Sequence, residues 1–430
     1  MGRCLVSGML LLALWSCTGC SLIGQPGAYM RLPKLPAEQE TLKSTIESSL
    51  PPGAALIRPS NAVQAGAISL VDLDGDGSEE AVFYYKIKES EQLHGEIWSE
   101  SDGPWKRIDS FEGAGYELDE LRFERITLED ASRGVNLVAA YATKEDAPKG
   151  LAVYALENGK AVKKFELPYT DYVIDDLTGD ERQDLTVILH DREKRTSAAV
   201  LYQYEGNKLQ KLSTLHLDGT VSGYYNMISG RVTPELRGVV LDAAVGAHSS
   251  YTEMLIYRDG RLRRAFDPER TYKAYSAPSE DADRDGILDV VGMVEPPGWE
   301  DQPVAVIPWI YTYDRWDGSG GFERVLQRYW NGQDGYYFDF PPEWPKETTL
   351  EIEEGSSVRF ITAPDSTERL AEIRIFRADD WNEEQTDWLP VHRTANTVLA
   401  LNREAEAYRS RLHLLSEMKS EGSAPSWAES

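Results

Sequence analysis

The feature that most constrains this chain is a repeat of about 52 residues, because a chain that repeats at such a period builds its fold from equivalent units. Two segments share one local plan, Val71-Asp72-Leu73-Asp74-Gly75-Asp76-Gly77 and Glu280-Asp281-Ala282-Asp283-Arg284-Asp285-Gly286, with a degenerate copy at Asp176-Leu177-Thr178-Gly179-Asp180. Asp72 and Asp176 are separated by 104 residues, Asp176 and Asp281 by 105. Half that distance points to eroded copies at Arg125-Ile126-Thr127 and Gly230-Arg231-Val232-Thr233. A second marker keeps the same period. It is an aromatic-bearing strand followed by a turn: Trp98 with Asp102-Gly103, Tyr154 with Asn158-Gly159, Tyr204 with Gly206-Asn207, Tyr257 with Asp259-Gly260, and Tyr313 with Asp317-Gly318. Such pairs make hairpin turns because their residues tolerate positive φ.

Within one repeat the pattern reads as four strands, which in the first are Ala67–Val71, Ala81–Lys86, Gly95–Ser99 and Trp105–Phe111. These runs are rich in β-branched and aromatic residues and bounded by turns. Four strands per repeat of this length point to propeller blades, whereas a two-sheet sandwich gives no reason for the period. The fold expected is mainly β: a β-propeller of about five four-stranded blades over residues 55–332, followed by a small C-terminal α+β domain over 333–417 and a disordered tail over 418–430. Before the blades, Pro36 to Leu50 reads as a helix, with Pro36 at its first turn and Leu42, Ile46 and Leu50 on one face. In the C-terminal domain, strands are expected at Tyr336–Phe340, Thr348–Ile352, Val358–Thr362 and Ala371–Phe376, and Asn402 is placed to cap a closing helix.

The Asp-rich loops carry the clearest chemistry. A hard cation such as calcium takes six to eight oxygens. Asp at positions 1, 3 and 5 of a tight loop can point inward, Gly at 6 permits the sharp turn, and a carbonyl at 7 and a carboxylate at 9 can complete the shell. Asp72, Asp74, Asp76, Gly77, Ser78 and Glu80 fill this scheme, and Asp281, Asp283, Asp285, Gly286, Ile287 and Asp289 fill it better. An EF-hand requires Glu at position 12, where these loops have Phe83 and Gly292. Asp-turns that bond only their own backbone are the bland alternative. The loops resemble the calcium loops of FG-GAP and VCBS repeats, which build β-propellers. That resemblance implies metal ligands at Asp72, Asp74, Asp76, Glu80, Asp281, Asp283, Asp285 and Asp289, with backbone carbonyls from Ser78 and Ile287. In the middle loop Thr178 replaces an Asp and Glu181 the Gly, so Asp176, Thr178, Asp180 and Asp184 imply a weak site. Calcium here would be structural.

At the N-terminus, Arg3 precedes a short apolar run, Leu5 to Trp15. The run is shorter than the roughly 20 residues a membrane-spanning helix needs, and it fits the core of a signal peptide over residues 1–19. Cys17-Thr18-Gly19-Cys20-Ser21 resembles the lipobox of bacterial lipoproteins, with Cys17 where that motif usually has Leu; it implies lipidation of Cys20. Residues 20–54 would then be a lipidated linker and short helix. Cys4, Cys17 and Cys20 are the chain's three cysteines, so no disulfide is expected in the mature protein. The formal charge of −27 argues against nucleic acid, which needs a basic face, and against peripheral binding to anionic headgroups. It suits cations and cationic partners.

No catalytic constellation emerges. His94, His190, His216, His248, His392 and His413 show no zinc-chelating spacing, and His248 lacks a Gly-x-Ser-x-Gly elbow. Tyr224, Tyr225, Trp299 and Trp309 lie near expected loops, where aromatics could grip a ligand; blade packing is the plainer reading. The sequence reads as a lipid-anchored, calcium-stabilised β-propeller on the extracytoplasmic face of a membrane. It would act as a cell-surface binding or scaffold module for a protein or glycan, a reading the sequence favours over an enzyme without deciding between them. The alternative is a surface glycan-cleaving propeller, which needs carboxylates converging near the central channel.

Overall fold

A computed structural model of the protein describes residues 37–416, apart from 62–65, 89, 91, 102, 128–133, 143–148, 354–356, 363–365, 367, 383 and 385–386. The expected signal peptide, the lipidation site Cys20 and the tail from 418 lie outside the described residues. Among the described residues no helix is long and apolar enough to cross a membrane.

Among the described residues the chain is mainly β, with six antiparallel sheets of four or five strands. The first sheet contains β1 (Ala54–Ile57), β2 (Ile68–Val71), β3 (Glu80–Ile87), β4 (Leu93–Ser99) and β5 (Lys106–Glu112), with β1 and β2 both paired to β3. The next three sheets are simple meanders. They are β6 to β9 (Glu117–Glu124, Asn136–Ala142, Lys149–Glu157, Lys160–Tyr169), β10 to β13 (Asp171–Asp175, Asp184–Asp191, Thr196–Glu205, Lys208–Leu217) and β14 to β17 (Gly223–Arg231, Arg237–Val245, Ser249–Arg258, Arg261–Arg264). The hairpin turns take the form the sequence calls for: Asn158 and Gly159, Gly206 and Asn207, and Asp259 and Gly260 all have positive φ.

Burial along each sheet shows how the sheets meet. The second strand is buried on both faces, as at Leu137 to Tyr141 and Val239 to Ala243. The fourth strand is half exposed and carries charges, as in Lys160–Tyr169. Successive residues of a strand point to opposite faces. Leu137, Ala139 and Tyr141 therefore pack against Val82, Tyr84, Leu93 and Ile97 of the first sheet. Val138 and Ala140, on the other face, pack against Leu185 and Val187 of the third. In the same way Val239 and Leu241 meet Ile188 and Leu201 of the third sheet, while Val240 meets Val290 and Trp316 of the fifth. Tyr84 and Tyr141 also join the first two sheets through their hydroxyls at 3.0 Å.

Helix α1 (Ala37–Ser49) lies on the remaining face of the first sheet, with Leu42 and Ile46 against Ala81, Phe83, Tyr85 and Trp98. Its apolar residues recur every four positions, so a single stripe faces the sheet.

The C-terminal region departs from the expected plan. The fifth sheet contains β18 (Val290–Val294), β19 (Ile310–Trp316), β20 (Phe322–Asn331) and β21 (Tyr336–Asp339), with β27 (Leu412–Leu414) added at its edge. The boundary expected at 332/333 therefore falls inside a hairpin of this sheet. Asn331 makes the turn by accepting the Asp334 N–H at 3.0 Å, and Gly335 has a φ of 75°. The sixth sheet runs β22 (Thr349–Glu353), β23 (Ser357–Ile361), β24 (Arg369–Arg377), β26 (Thr397–Asn402), β25 (Trp388–Arg393), out of chain order. Tyr336, Phe338, Phe340 and Trp344 share one core with Leu350, Phe360, Ile373 and Leu401 of that sheet. The closing helix is instead a 3₁₀ stretch over Arg403–Arg411. Asn402 does not cap it, because its side-chain oxygen accepts the Glu372 N–H across the sheet at 2.7 Å.

Candidate metal centre

The three Asp-rich loops each link a first to a second strand position, at 72–80, 176–184 and 281–289, and they share one backbone conformation. Positive φ falls at the fourth position (Gly75 79°, Gly179 77°, Arg284 63°) and at the sixth (Gly77 93°, Glu181 69°, Gly286 88°). Glycine adopts this region freely, whereas Glu181 and Arg284 do so at a steric cost. The hydrogen bonds match as well. The carboxylate at position 1 accepts the N–H of position 6 in each loop: Asp72 from Gly77 at 3.0 Å, Asp176 from Glu181 at 2.8 Å, and Asp281 from Gly286 at 2.8 Å. The carboxylate at position 9 accepts the N–H of position 2: Glu80 from Leu73 at 3.0 Å, Asp184 from Leu177 at 2.9 Å, and Asp289 from Ala282 at 3.2 Å. Leu73 and Leu177, at position 2 of their loops, are buried, as are Ile126 and Val232 in the eroded copies.

In the first loop, Asp72, Asp74 and Glu80 each bring a carboxylate oxygen within 4.8 Å of the others. Glu80 is 2% exposed. Burial pushes its carboxyl up to about 7, with Asp74 and Asp76 raising it further against the lowering effect of the Leu73 N–H. A buried acid in this setting gains from a nearby positive charge. Asp76 is not drawn into the trio; one of its oxygens accepts the Ser78 N–H at 2.7 Å. These residues fit a hard divalent cation: three hard oxygens converge, and the buried one is destabilised by its neighbours.

In the last loop, Asp281, Asp283 and Asp285 also converge within 4.8 Å, and a guanidinium lies among the acids. Arg315, on β19, donates to Asp285 at 2.7 Å, to Asp283 at 3.1 Å and to Asp289 at 3.2 Å. Asp289 is fully buried. Burial pushes its carboxyl up to about 7 although Arg315 opposes the shift. Ile287 is buried, and the following Leu288 donates its N–H to the Arg231 carbonyl at 2.7 Å, anchoring the loop to the fourth sheet. Among the described residues, Asp283, Asp285 and Asp289 thus share a guanidinium, which Asp72, Asp74 and Glu80 do not, while Asp281 accepts only backbone N–H groups of its own loop.

In the middle loop the Gln203 amide takes the corresponding place, donating to Asp184 at 2.9 Å and to Asp180 at 3.0 Å. Arg182 also binds Asp180, at 2.7 Å. Burial raises the Asp180 carboxyl less than Arg182 and Gln203 lower it, so it lies below the usual range, while burial raises Asp184 to about 6.

Ser99, Gln203 and Arg315 are the residues that reading the loops alone misses. Their signal lies in the neighbouring strand, opposite position 9. The four aromatics singled out from the sequence each hydrogen-bond within the fold, Trp309 donating to the Val304 carbonyl at 3.3 Å. Tyr224 shares a hydrogen bond with Ser197 at 2.9 Å, Tyr225 donates to the Ala277 carbonyl at 2.9 Å, and Trp299 donates to the Leu350 carbonyl at 2.9 Å. His248 lies beside the Tyr275 ring at 6.1 Å between centroids.

No protein-family model and no curated protein matches the chain. Among solved structures, similarity extends to a rhamnogalacturonan lyase of Bacillus licheniformis (TM-score 0.34, 13% identity, 81% of this chain and 75% of that one). It extends also to the β-propeller domain of the trilobed protease from Pyrococcus furiosus (0.31, 10%, 76% and 90%). A third is Sqt1 of Saccharomyces cerevisiae (0.36, 8%, 81% and 96%). Superpositions this weak transfer neither substrate nor mechanism to the present chain.

Proposed function

We propose that this protein is a lipid-anchored β-propeller, stabilised by calcium, that serves as a cell-surface binding or scaffold module for a protein or glycan. The serial stacking of the first five sheets through their buried second strands supports the propeller reading, with those sheets as blades. The observation that carries the calcium reading is the convergence of Asp72, Asp74 and Glu80 in the loop joining β2 to β3. Bound there, calcium would supply positive charge that draws the acids together and ties the two strands to each other. Asp76 and the Ser78 carbonyl are the further oxygens the loop resemblance offers, and Cys20 is the anchor that the lipobox resemblance implies at the N-terminus. If the dissociation constant is ~0.1 mM, then ~1 mM calcium adds about 1.4 kcal/mol to folding.

The test is calorimetric titration of the chelator-stripped full chain in detergent, together with its melting temperature. Calcium should bind and raise the melting temperature, and magnesium should do so poorly because it favours a smaller octahedral shell. Absence of binding at millimolar calcium would reduce the first loop to an Asp-turn. For the anchor, Cys20→Ala should move the protein from the membrane to the soluble fraction; retention in the membrane would reject Cys20 as the lipid site. A pull-down from envelope extract, with and without chelator, addresses the binding role.

A further inference from the structure

The three loops have the same backbone, so what fills them depends on what reaches in from outside the loop. Strand pairing fixes that neighbour. Ala81 pairs with Trp98 in the first sheet, Leu185 with Tyr202 in the third and Val290 with Asp314 in the fifth. One step further along each antiparallel ladder, position 9 of the loop faces Ser99, Gln203 or Arg315. All three lie against the loop acids, Ser99 with only a hydroxyl beside Glu80. Gln203 bonds Asp184 and Asp180, and Arg315 bonds Asp283, Asp285 and Asp289. Ser99 is short, neutral and buried, and it brings no charge to Asp72, Asp74 or Glu80.

We propose that the residue facing position 9 decides how each loop is neutralised: Ser99 leaves the first loop to a divalent cation from solution, Gln203 closes the middle loop with its amide, and Arg315 converts the last loop into an internal ion pair. The last loop thus has the better metal-binding sequence and the lesser need for metal. A guanidinium stays charged at every pH a protein survives, and its planar fork donates to several carboxylates together. A divalent ion entering the same acids would either expel Arg315 or sit beside a second positive charge. The arginine side chain is only 20% exposed and is held by Asp283, Asp285 and Asp289, so neither route is favourable. The inference rests in part on the calcium reading of the first loop, and the experiment separates the two.

The full chain, chelator-stripped in detergent, is titrated with calcium beside Arg315→Ser, Ser99→Arg and Asp283→Asn. Wild type should bind a single equivalent. Arg315→Ser should gain a second, with a larger calcium-dependent rise in melting temperature. Ser99→Arg should lose the response of wild type while keeping a β-type circular dichroism spectrum. Asp283→Asn, made in otherwise native protein, should leave the stoichiometry unchanged, which keeps the test decisive if Arg315→Ser fails to fold. Two equivalents in wild type, one of them lost in Asp283→Asn, would overturn the role of Arg315. A wild type that binds none, beside an Arg315→Ser variant that binds one, would sink the calcium reading of the first loop and leave the role of Arg315 standing.

Discussion

The first and fifth sheets solve one problem in different ways. Each buries an acid where an Asp-rich loop enters a strand: Glu80, at the start of β3, is 2% exposed, and Asp289, just before β18, is fully buried. An isolated buried carboxylate is costly unless hydrogen-bonded and paired with positive charge. At the fifth sheet the pairing is internal, through Arg315. At the first sheet, Glu80 has the Leu73 N–H and the Ser99 hydroxyl beside it and further acids at Asp72 and Asp74. The difference teaches that an acidic loop motif reports a demand for positive charge and leaves open its source. A third buried acid sharpens the point. Asp242 is fully buried and accepts from Lys273 at 2.9 Å, from Asn226 at 2.7 Å and from the Ser279 N–H at 2.6 Å. Here the chain supplies its own cation from the connection between the fourth and fifth sheets.

The largest expected effect follows from removing that cation. Lys273→Ala strands Asp242 in the interior and should cost about 3–5 kcal/mol, the usual penalty for breaking a buried pair. Lys273→Met combined with Asp242→Asn should be less damaging than Lys273→Met alone, since no charge is then left unpaired. Equilibrium denaturation of the full chain measures both, and a double variant as unstable as the single would show that packing, not charge, dominates there. A smaller effect is expected in the first loop. Glu80→Gln keeps an oxygen for the Leu73 N–H but removes the buried charge, so it should abolish the calcium-dependent gain of about 1.4 kcal/mol. In chelator the variant should be no less stable than wild type. A Glu80→Gln protein whose melting temperature still climbs with calcium would place the ion elsewhere.

Much of the fold was legible in the chain because the repeat is carried by backbone-determining residues. Asn158-Gly159 and Asp259-Gly260 mark their turns through positive φ, and β2 to β5 of the first sheet lie within about two residues of the four strands read from pattern. In the C-terminal region β21 to β24 were legible, whereas β25, β26 and β27 and the connections were not. Tyr336 to Trp344 look like the start of a new unit, yet they complete the fifth sheet and share its core with the sixth. Return of β27 to β21 is a long-range pairing that no local pattern announces. The candidate site was legible in its loops for the same local reason. Its occupants were not, since Ser99, Gln203 and Arg315 act across a hairpin and each is unremarkable in its own strand.

The smallest effect is expected in the middle loop, and it bears most directly on whether loop sequence or loop neighbour matters. Asp180 is a metal-ligand position by spacing. Its side chain is 36% exposed, and its partners are Arg182 at 2.7 Å and Gln203 at 3.0 Å. Exposed ion pairs of this kind contribute about 0–1 kcal/mol. Gln203 keeps its bond to Asp184 at 2.9 Å when Asp180 is gone, so the loop remains filled. Asp180→Ala should therefore lower stability by about 0.5 kcal/mol or less and leave the calcium response untouched. Gln203→Ala should cost more, about 1–3 kcal/mol, because it deprives the buried Asp184 of a donor. A variant pair in the opposite order, or an Asp180→Ala protein that binds less calcium than wild type, would mean that the middle loop recruits metal through its own acids and that the amide of Gln203 does not close it.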